Sequence, residues 1–147
     1  MDKVFFYPAD RATRLKNRSS VKKLVIYLFK NEKIPLNEVS YIFCSDDYLL
    51  AINKNYLNHN SLTDVITFPL STDGGPVSGE IYLSVDRIKE NAKTYDVLYE
   101  NELLRVILHG ALHLCGYNDK NSQERRKMRN KEDFYLKTTD VSREADI

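Results

Sequence analysis

Hydrophobic and polar positions recur along this chain with two different periods, and the switches between them mark out its elements. Val4 to Tyr7 is a short apolar run closed by Pro8, which predicts a strand. Ser19 and Ser20 then stand where they can cap a helix whose apolar positions Val21, Leu24, Val25 and Leu28 follow the 3.6-residue period. From Glu38 to Cys44 the alternation of Val39, Tyr41 and Phe43 predicts a second strand. Asp46 or Asp47 is expected to cap a helix with Leu49, Ile52 and Tyr56 on one side. Asp64 to Phe68, stopped by Pro69, and Ile81 to Leu83 are two further strand segments. The turn-forming Asp73-Gly74-Gly75-Pro76 between them predicts antiparallel pairing. Ser84 opens a helix through Tyr95 whose polar face carries Arg87, Glu90 and Lys93.

The segment from Glu100 to Cys115 departs from this amphipathic style. Leu103, Leu104, Val106, Ile107, Leu108, Ala111, Leu112 and Leu114 leave it almost no polar face, so it is expected to be a central, buried helix. Asn121 and Glu124 form a capping pair at the start of a last helix, which turns Met128, Tyr135 and Leu136 inward. With no repeat, linker or low-complexity stretch, residues 1–147 read as a single α+β domain. About four strands in a small mixed sheet pack against about five helices.

Composition narrows the setting. An apolar content of 42% with 29% charged residues is that of a globular chain, and no run reaches the length of a membrane span. The N-terminal MDKVFFYPAD lacks the pattern of a signal peptide, so the protein is expected in the cytoplasm, away from membranes. Cys44 and Cys115 are expected to be reduced thiols. The net charge of +1 excludes a strongly basic protein, yet six basic residues and one acid fall between Lys120 and Lys131. Such a run is usually a solvated helix face, but here it adjoins the chain's most reactive-looking segment.

That segment is HGALHLCGYND, His109 to Asp119. On a helix, residues four apart share a face, so His109 and His113 can aim two imidazoles at one point. Gly116 supplies a cheap left-handed stop, after which Asp119 can return a third ligand. Two nitrogens, one oxygen and an open position are the makings of a catalytic zinc site. A lone histidine in an apolar helix is ordinarily a packed residue, but two at this spacing, with the glycine and the carboxylate, outweigh that reading. Cys115 lies about 200° around the helix from His113 and is assigned to the core. Gly110 occupies the position where zinc peptidases carry a glutamate base, so peptide hydrolysis is excluded.

The stretch resembles the H-G-x-L-H-L-x-G-Y-D-H signature of the YbeY family of bacterial rRNA-maturation endoribonucleases. Leu62 to Pro69 (LTDVITFP) is similar to that family's P-T-D-V-L-S-F-P, and Gly79 to Ser84 (GEIYLS) to its G-D-I-x-I-S. The order and spacing agree over roughly residues 35 to 135. The resemblance implies a zinc-dependent, single-strand-specific endoribonuclease of the cytoplasm, acting in 16S rRNA 3′-end maturation and ribosome quality control. It implies one Zn²⁺ per chain on His109, His113 and Asp119, other divalent metals being alternatives, with rRNA and the ribosome or its proteins as partners.

The sequence departs from the family pattern at three places. Asp119 replaces a third histidine, which adds negative charge and favours metals that accept oxygen ligands. Asn118 stands where aspartate is common. Leu57 follows Tyr56 where the family usually has an arginine suited to substrate phosphate. His59 is the candidate to replace that arginine as a catalytic phosphate contact. Lys54, Lys120, Arg125, Arg126, Lys127 and Arg129 are the candidates for holding the RNA backbone. Two alternatives stand beside the nuclease: a non-catalytic, RNA-binding ribosome-assembly factor with a structural metal, and a different metal-dependent hydrolase.

Overall fold

A computed structural model describes residues 3–13, 15–56, 62–71 and 74–145. Its elements follow in the order β1 (Val4–Pro8), α1 (Arg18–Asn31), β2 (Leu36–Cys44), α2 (Asp46–Tyr56), β3 (Val65–Pro69), β4 (Val77–Ser84), α3 (Val85–Tyr95), α4 (Tyr99–Leu114) and α5 (Ser122–Ala145). The sheet order is β1-β2-β4-β3. β1 and β4 run parallel to β2, while β3 pairs antiparallel with β4, as the turn residues predict. Four strands in a mixed sheet and five helices make the α+β architecture expected from the hydrophobic periods.

α4 is the buried helix. Leu103, Ile107, Leu108, Ala111 and Leu112 are all at most 1% exposed, and they pack with Tyr41, Ile81 and Leu83 of the sheet into one core. Two glycines set how closely helix and sheet approach. A Cβ on Gly79 would stand 2.7 Å from Leu114, and one on Gly110 would stand 2.8 Å from Ile81. Tyr41, wholly buried, donates from its hydroxyl to the main-chain oxygen of Ile107 at 2.9 Å and so pins the helix to β2.

Gly110 is therefore a packing residue. Its side-chain direction points into β4, so a glutamate there would be driven against Ile81. Gly110→Ala is expected to cost about 1–3 kcal/mol in overpacking against about 1 kcal/mol gained in helix propensity. The net loss of about 1 kcal/mol predicts a melting temperature lower by about 2–4 °C in a thermal unfolding scan.

Two local expectations need correction. Ser19 and Ser20 lie inside α1, which begins at Arg18 after a left-handed Asn17 (φ 56°) with no side-chain cap. The first helical bond runs from Val21 N–H to Asn17 O at 3.1 Å, ahead of both serines. α2 is capped by Ser45, whose Oγ accepts from Tyr48 N–H at 3.1 Å, and not by Asp46 or Asp47. Asp10 takes the Ser45 N–H at 2.8 Å and orients that serine from far away in sequence. Asp46 sits in the first turn instead and accepts from Ser84 Oγ (2.8 Å) and Arg87 Nη2 (2.9 Å), which ties the polar face of α3 to α2. Ser84 does cap α3, accepting from Arg87 N–H, and Asn121 Oδ1 accepts from Glu124 N–H at 2.8 Å to open α5.

Candidate metal centre

The polar stripe of α4 builds the site. Glu102, Arg105, His109 and His113 recur at intervals of three and four on a helix otherwise committed to the core, so they share one face. α4 stops at a left-handed Gly116 (φ 103°), with Tyr117 N–H on Leu112 O at 3.1 Å and Gly116 N–H on His113 O at 3.0 Å. This is the Schellman closure that glycine favours. It folds the chain back so that Tyr117 O accepts from His113 Nδ1 at 2.9 Å, and Asp119 arrives beside both histidines. The hydroxyl of Tyr117 donates to Glu32 at 2.6 Å, where Lys131 and Tyr135 also donate, which anchors the reversal to α1 and α5.

Hydrogen bonding fixes both imidazole tautomers. His109 Nδ1 lies 2.7 Å from Glu132 Oε2, and His113 Nδ1 faces a carbonyl oxygen. Neither partner has a proton to give when Glu132 is ionised, so each Nδ1 carries the hydrogen and each neutral ring turns an Nε2 lone pair inward. The two Nε2 atoms are 3.0 Å apart, and Asp119 Oδ2 lies 3.2 Å from one and 3.3 Å from the other. Three acceptors converging so tightly repel one another unless a proton or a metal cation stands among them. Ligands about 2.0–2.1 Å from a tetrahedral zinc are about 3.3–3.4 Å apart, close to this triangle. The donor set therefore suits a divalent metal with an open fourth position. Cys115 has no part in the triad and packs against the core, as expected from its place on the helix.

Glu132, 3% exposed, is a residue of the candidate site that the sequence alone does not reveal. It comes from α5 and accepts from Arg105 Nη1 at 2.8 Å with the oxygen that does not face His109. Arg105 also donates to Asp133 at 2.7 Å. A carboxylate at helical spacing between the inward-facing Met128 and Tyr135 was the available signal. Burial opposes charge on His109, but the hydrogen bond and charge of Glu132, with Asp119 and Asp64 behind it, hold its pKa above 6.5. Burial likewise lifts the Asp64 carboxyl above its usual range, against the opposing charge of His109.

The raised His109 value has a sign that can be tested. Its contribution to the stability of the metal-free chain is complete below about pH 6.5 and is lost as pH climbs through the higher folded value. Metal ligation needs a bare Nε2 and strengthens over the same window. Thermal scans from pH 6 to 8 are expected to show this contribution falling in chelator and the stabilisation by added zinc growing.

Two cavities flank the triad, and Asp64, Val65, His109 and Asp119 line both. One, of about 430 Å³, is bordered by Arg125, Arg126 and Arg129 of α5. The other, of about 610 Å³, runs along β3 past Thr63, Thr67, Asn53 and Asn118. Three of the basic candidates thus reach the site. Lys120 and Lys127 do not line either cavity; Lys127 instead lies over the Tyr117 ring at 5.6 Å. Lys54 is exposed in the last turn of α2, beside Asn53. His59 and Leu57 lie outside the described residues.

Fold and triad together define a small α+β protein that presents a candidate metal centre at the end of a buried helix. The family model for Endoribonuclease YbeY matches residues 9–140, and the chain belongs to that family. Endoribonuclease YbeY of Cytophaga hutchinsonii is 42% identical over 133 residues, 90% of this chain and 93% of its own. The Flavobacterium psychrophilum protein of the same name is 53% identical over 100 residues, 68% of this chain and 71% of its own. Among solved structures, the solution structure of a Thermotoga maritima protein superposes with a TM-score of 0.66 at 29% identity, covering 97% of this chain and 93% of that one.

Proposed function

We propose that this chain is a zinc-dependent endoribonuclease specific for single-stranded RNA, serving 16S rRNA 3′-end maturation and ribosome quality control in the cytoplasm. The observation that carries the catalytic part is the triad: two imidazoles locked with their Nε2 lone pairs inward and a carboxylate oxygen 3.2–3.3 Å from both. His109, His113 and Asp119 would hold the metal, which when bound supplies Lewis acidity toward a phosphoryl oxygen or a water. The chain's own residues do the rest. Glu132 and the Tyr117 carbonyl orient the ligands, and Arg125, Arg126 and Arg129 draw the phosphate backbone along the groove. Family membership supports RNA as the substrate. Among the described residues no helix is long and apolar enough to cross a membrane.

The groove bears on strand choice, because side chains do not reach base edges in the deep, narrow major groove of an RNA duplex. The zinc-loaded chain is expected to cut a single-stranded oligoribonucleotide at least about tenfold faster than the same strand in a duplex. RNA affinity should fall linearly with salt on logarithmic axes, by about 0.7 per phosphate neutralised. Equal rates on both forms would overturn the single-strand assignment. Leu57, in the place of the family's arginine, favours a second reading, a ribosome-assembly factor with a structural metal. That reading requires the metal-loaded chain to bind RNA and leave it intact.

A further inference from the structure

The cavity between α4 and α5 contains a feature that metal binding does not use. Glu102 is 6% exposed and lines it, yet among the described residues no hydrogen bond or ion pair reaches its carboxylate. Arg105 is engaged by Glu132 and Asp133, and it acts on Glu102, as does Arg129, only through space. Burial and the nearby charge of Asp64 hold the Glu102 carboxyl above its usual range, as expected of an acid lacking donors. With no protein donor, this carboxylate takes its donors from whatever occupies the cavity, water or a ligand that displaces it.

The surroundings say what enters. Arg125, Arg126 and Arg129 border the opening and suit a phosphate, while Tyr95, 59% exposed at the end of α3, offers an aromatic face on the same rim. Unpaired bases are held by stacking on such rings and by hydrogen bonds to their Watson–Crick edges. At about 430 Å³ the space is within the range of about 300–1,000 Å³ for small-molecule sites. Glu102 lies two helical turns before His109, about 10 Å along the axis, a distance suited to a nucleotide adjoining the one at the triad.

We propose that this cavity is a base-reading subsite that selects guanine in the RNA substrate, with the Glu102 carboxylate accepting from guanine N1–H and N2–H. Guanine alone among the four bases presents two adjacent donors on its Watson–Crick edge. The inference rests on the nuclease reading for its substrate, but its own chemistry is testable apart from cleavage.

The test uses 5′-mononucleotides, which contain no internal bond to cut, titrated calorimetrically into the zinc-loaded full chain. GMP is expected to bind at least about tenfold more tightly than IMP, AMP, CMP or UMP, the lower part of the discrimination one bidentate contact provides. IMP, which lacks the N2 amino group, tests the contact without altering the protein. Glu102→Gln should bring all five nucleotides within about twofold of one another, because a carboxamide pairs with any base through one donor and one acceptor. Tyr95→Ala should weaken all of them alike by about tenfold, as loss of a stacking face does. Equal binding of GMP and IMP by the wild-type chain, or a GMP preference that survives Glu102→Gln, would overturn the proposal. Selective GMP binding by a chain that cuts no RNA would leave the subsite standing and overturn the nuclease reading.

Discussion

His113→Ala is expected to abolish stoichiometric zinc binding and to lower the rate of RNA cleavage by about 10³-fold or more. The alanine leaves His109 and Asp119 as a two-ligand site, and catalytic zinc requires three protein ligands. Loss of metal removes several kcal/mol of charge stabilisation at the phosphoryl group, which corresponds to that rate factor. The fold should survive, since the His113 ring is 24% exposed at the groove and its neighbours Leu112 and Leu114 keep α4 packed. Metal analysis of the purified variant, a circular dichroism spectrum and a single-stranded RNA cleavage assay check the three statements together. A variant that keeps its zinc and cuts at the wild-type rate contradicts the ligand assignment.

Glu132→Ala has the largest expected effect on the protein itself. The carboxylate, 4% exposed, accepts from Arg105 and from His109 on separate oxygens. Among the described residues, truncation leaves a partly buried guanidinium with only Asp133 and an imidazole N–H with no acceptor. Breaking a buried pair in this way costs about 3 kcal/mol or more. Removing the partner that orients a metal-bound histidine weakens metal binding by about 10- to 100-fold. Glu132→Gln should fall between the two proteins, because its amide nitrogen must confront one of the two donors. Zinc titration and thermal unfolding of the three chains check the order wild type, Gln, Ala in both quantities.

The two effects differ in how visible their residues are in sequence. His109 and His113 stand one turn apart on a helix whose apolar run is unmistakable, and Gly116 announces the reversal that returns Asp119. All of that is local, and local periodicity carries it. Glu132 lies 23 residues from His109 on a different helix, and only the packing of α5 on α4 joins them. Glu102 is hidden differently: as one of two acids at the start of α4, with Glu100, it reads as a first-turn residue favoured by the dipole. The caps show the same division. Ser84 and Asn121 act within three residues of themselves, whereas Ser45 is oriented by Asp10 across 35 residues, so sequence reasoning gives its role to the neighbouring aspartates.

Gly110 gains a different meaning from its surroundings. In sequence it is the missing base of a peptidase. In the fold it is one of two glycines at which α4 and β4 approach closely, and its Cβ direction meets Ile81. The two readings have separate grounds: one concerns the missing base, the other the space beside β4.

On the proposed assignment, His109, His113 and Asp119 hold one metal ion on which RNA cleavage depends. The most direct test is a titration of the chelator-stripped, full-length chain with zinc, following cleavage of a single-stranded oligoribonucleotide at each step. The stripped chain is expected to cut nothing, and cleavage is expected to rise with added zinc and saturate at one equivalent per chain. Cleavage that persists undiminished in chelator, or that ignores added metal, would contradict the assignment.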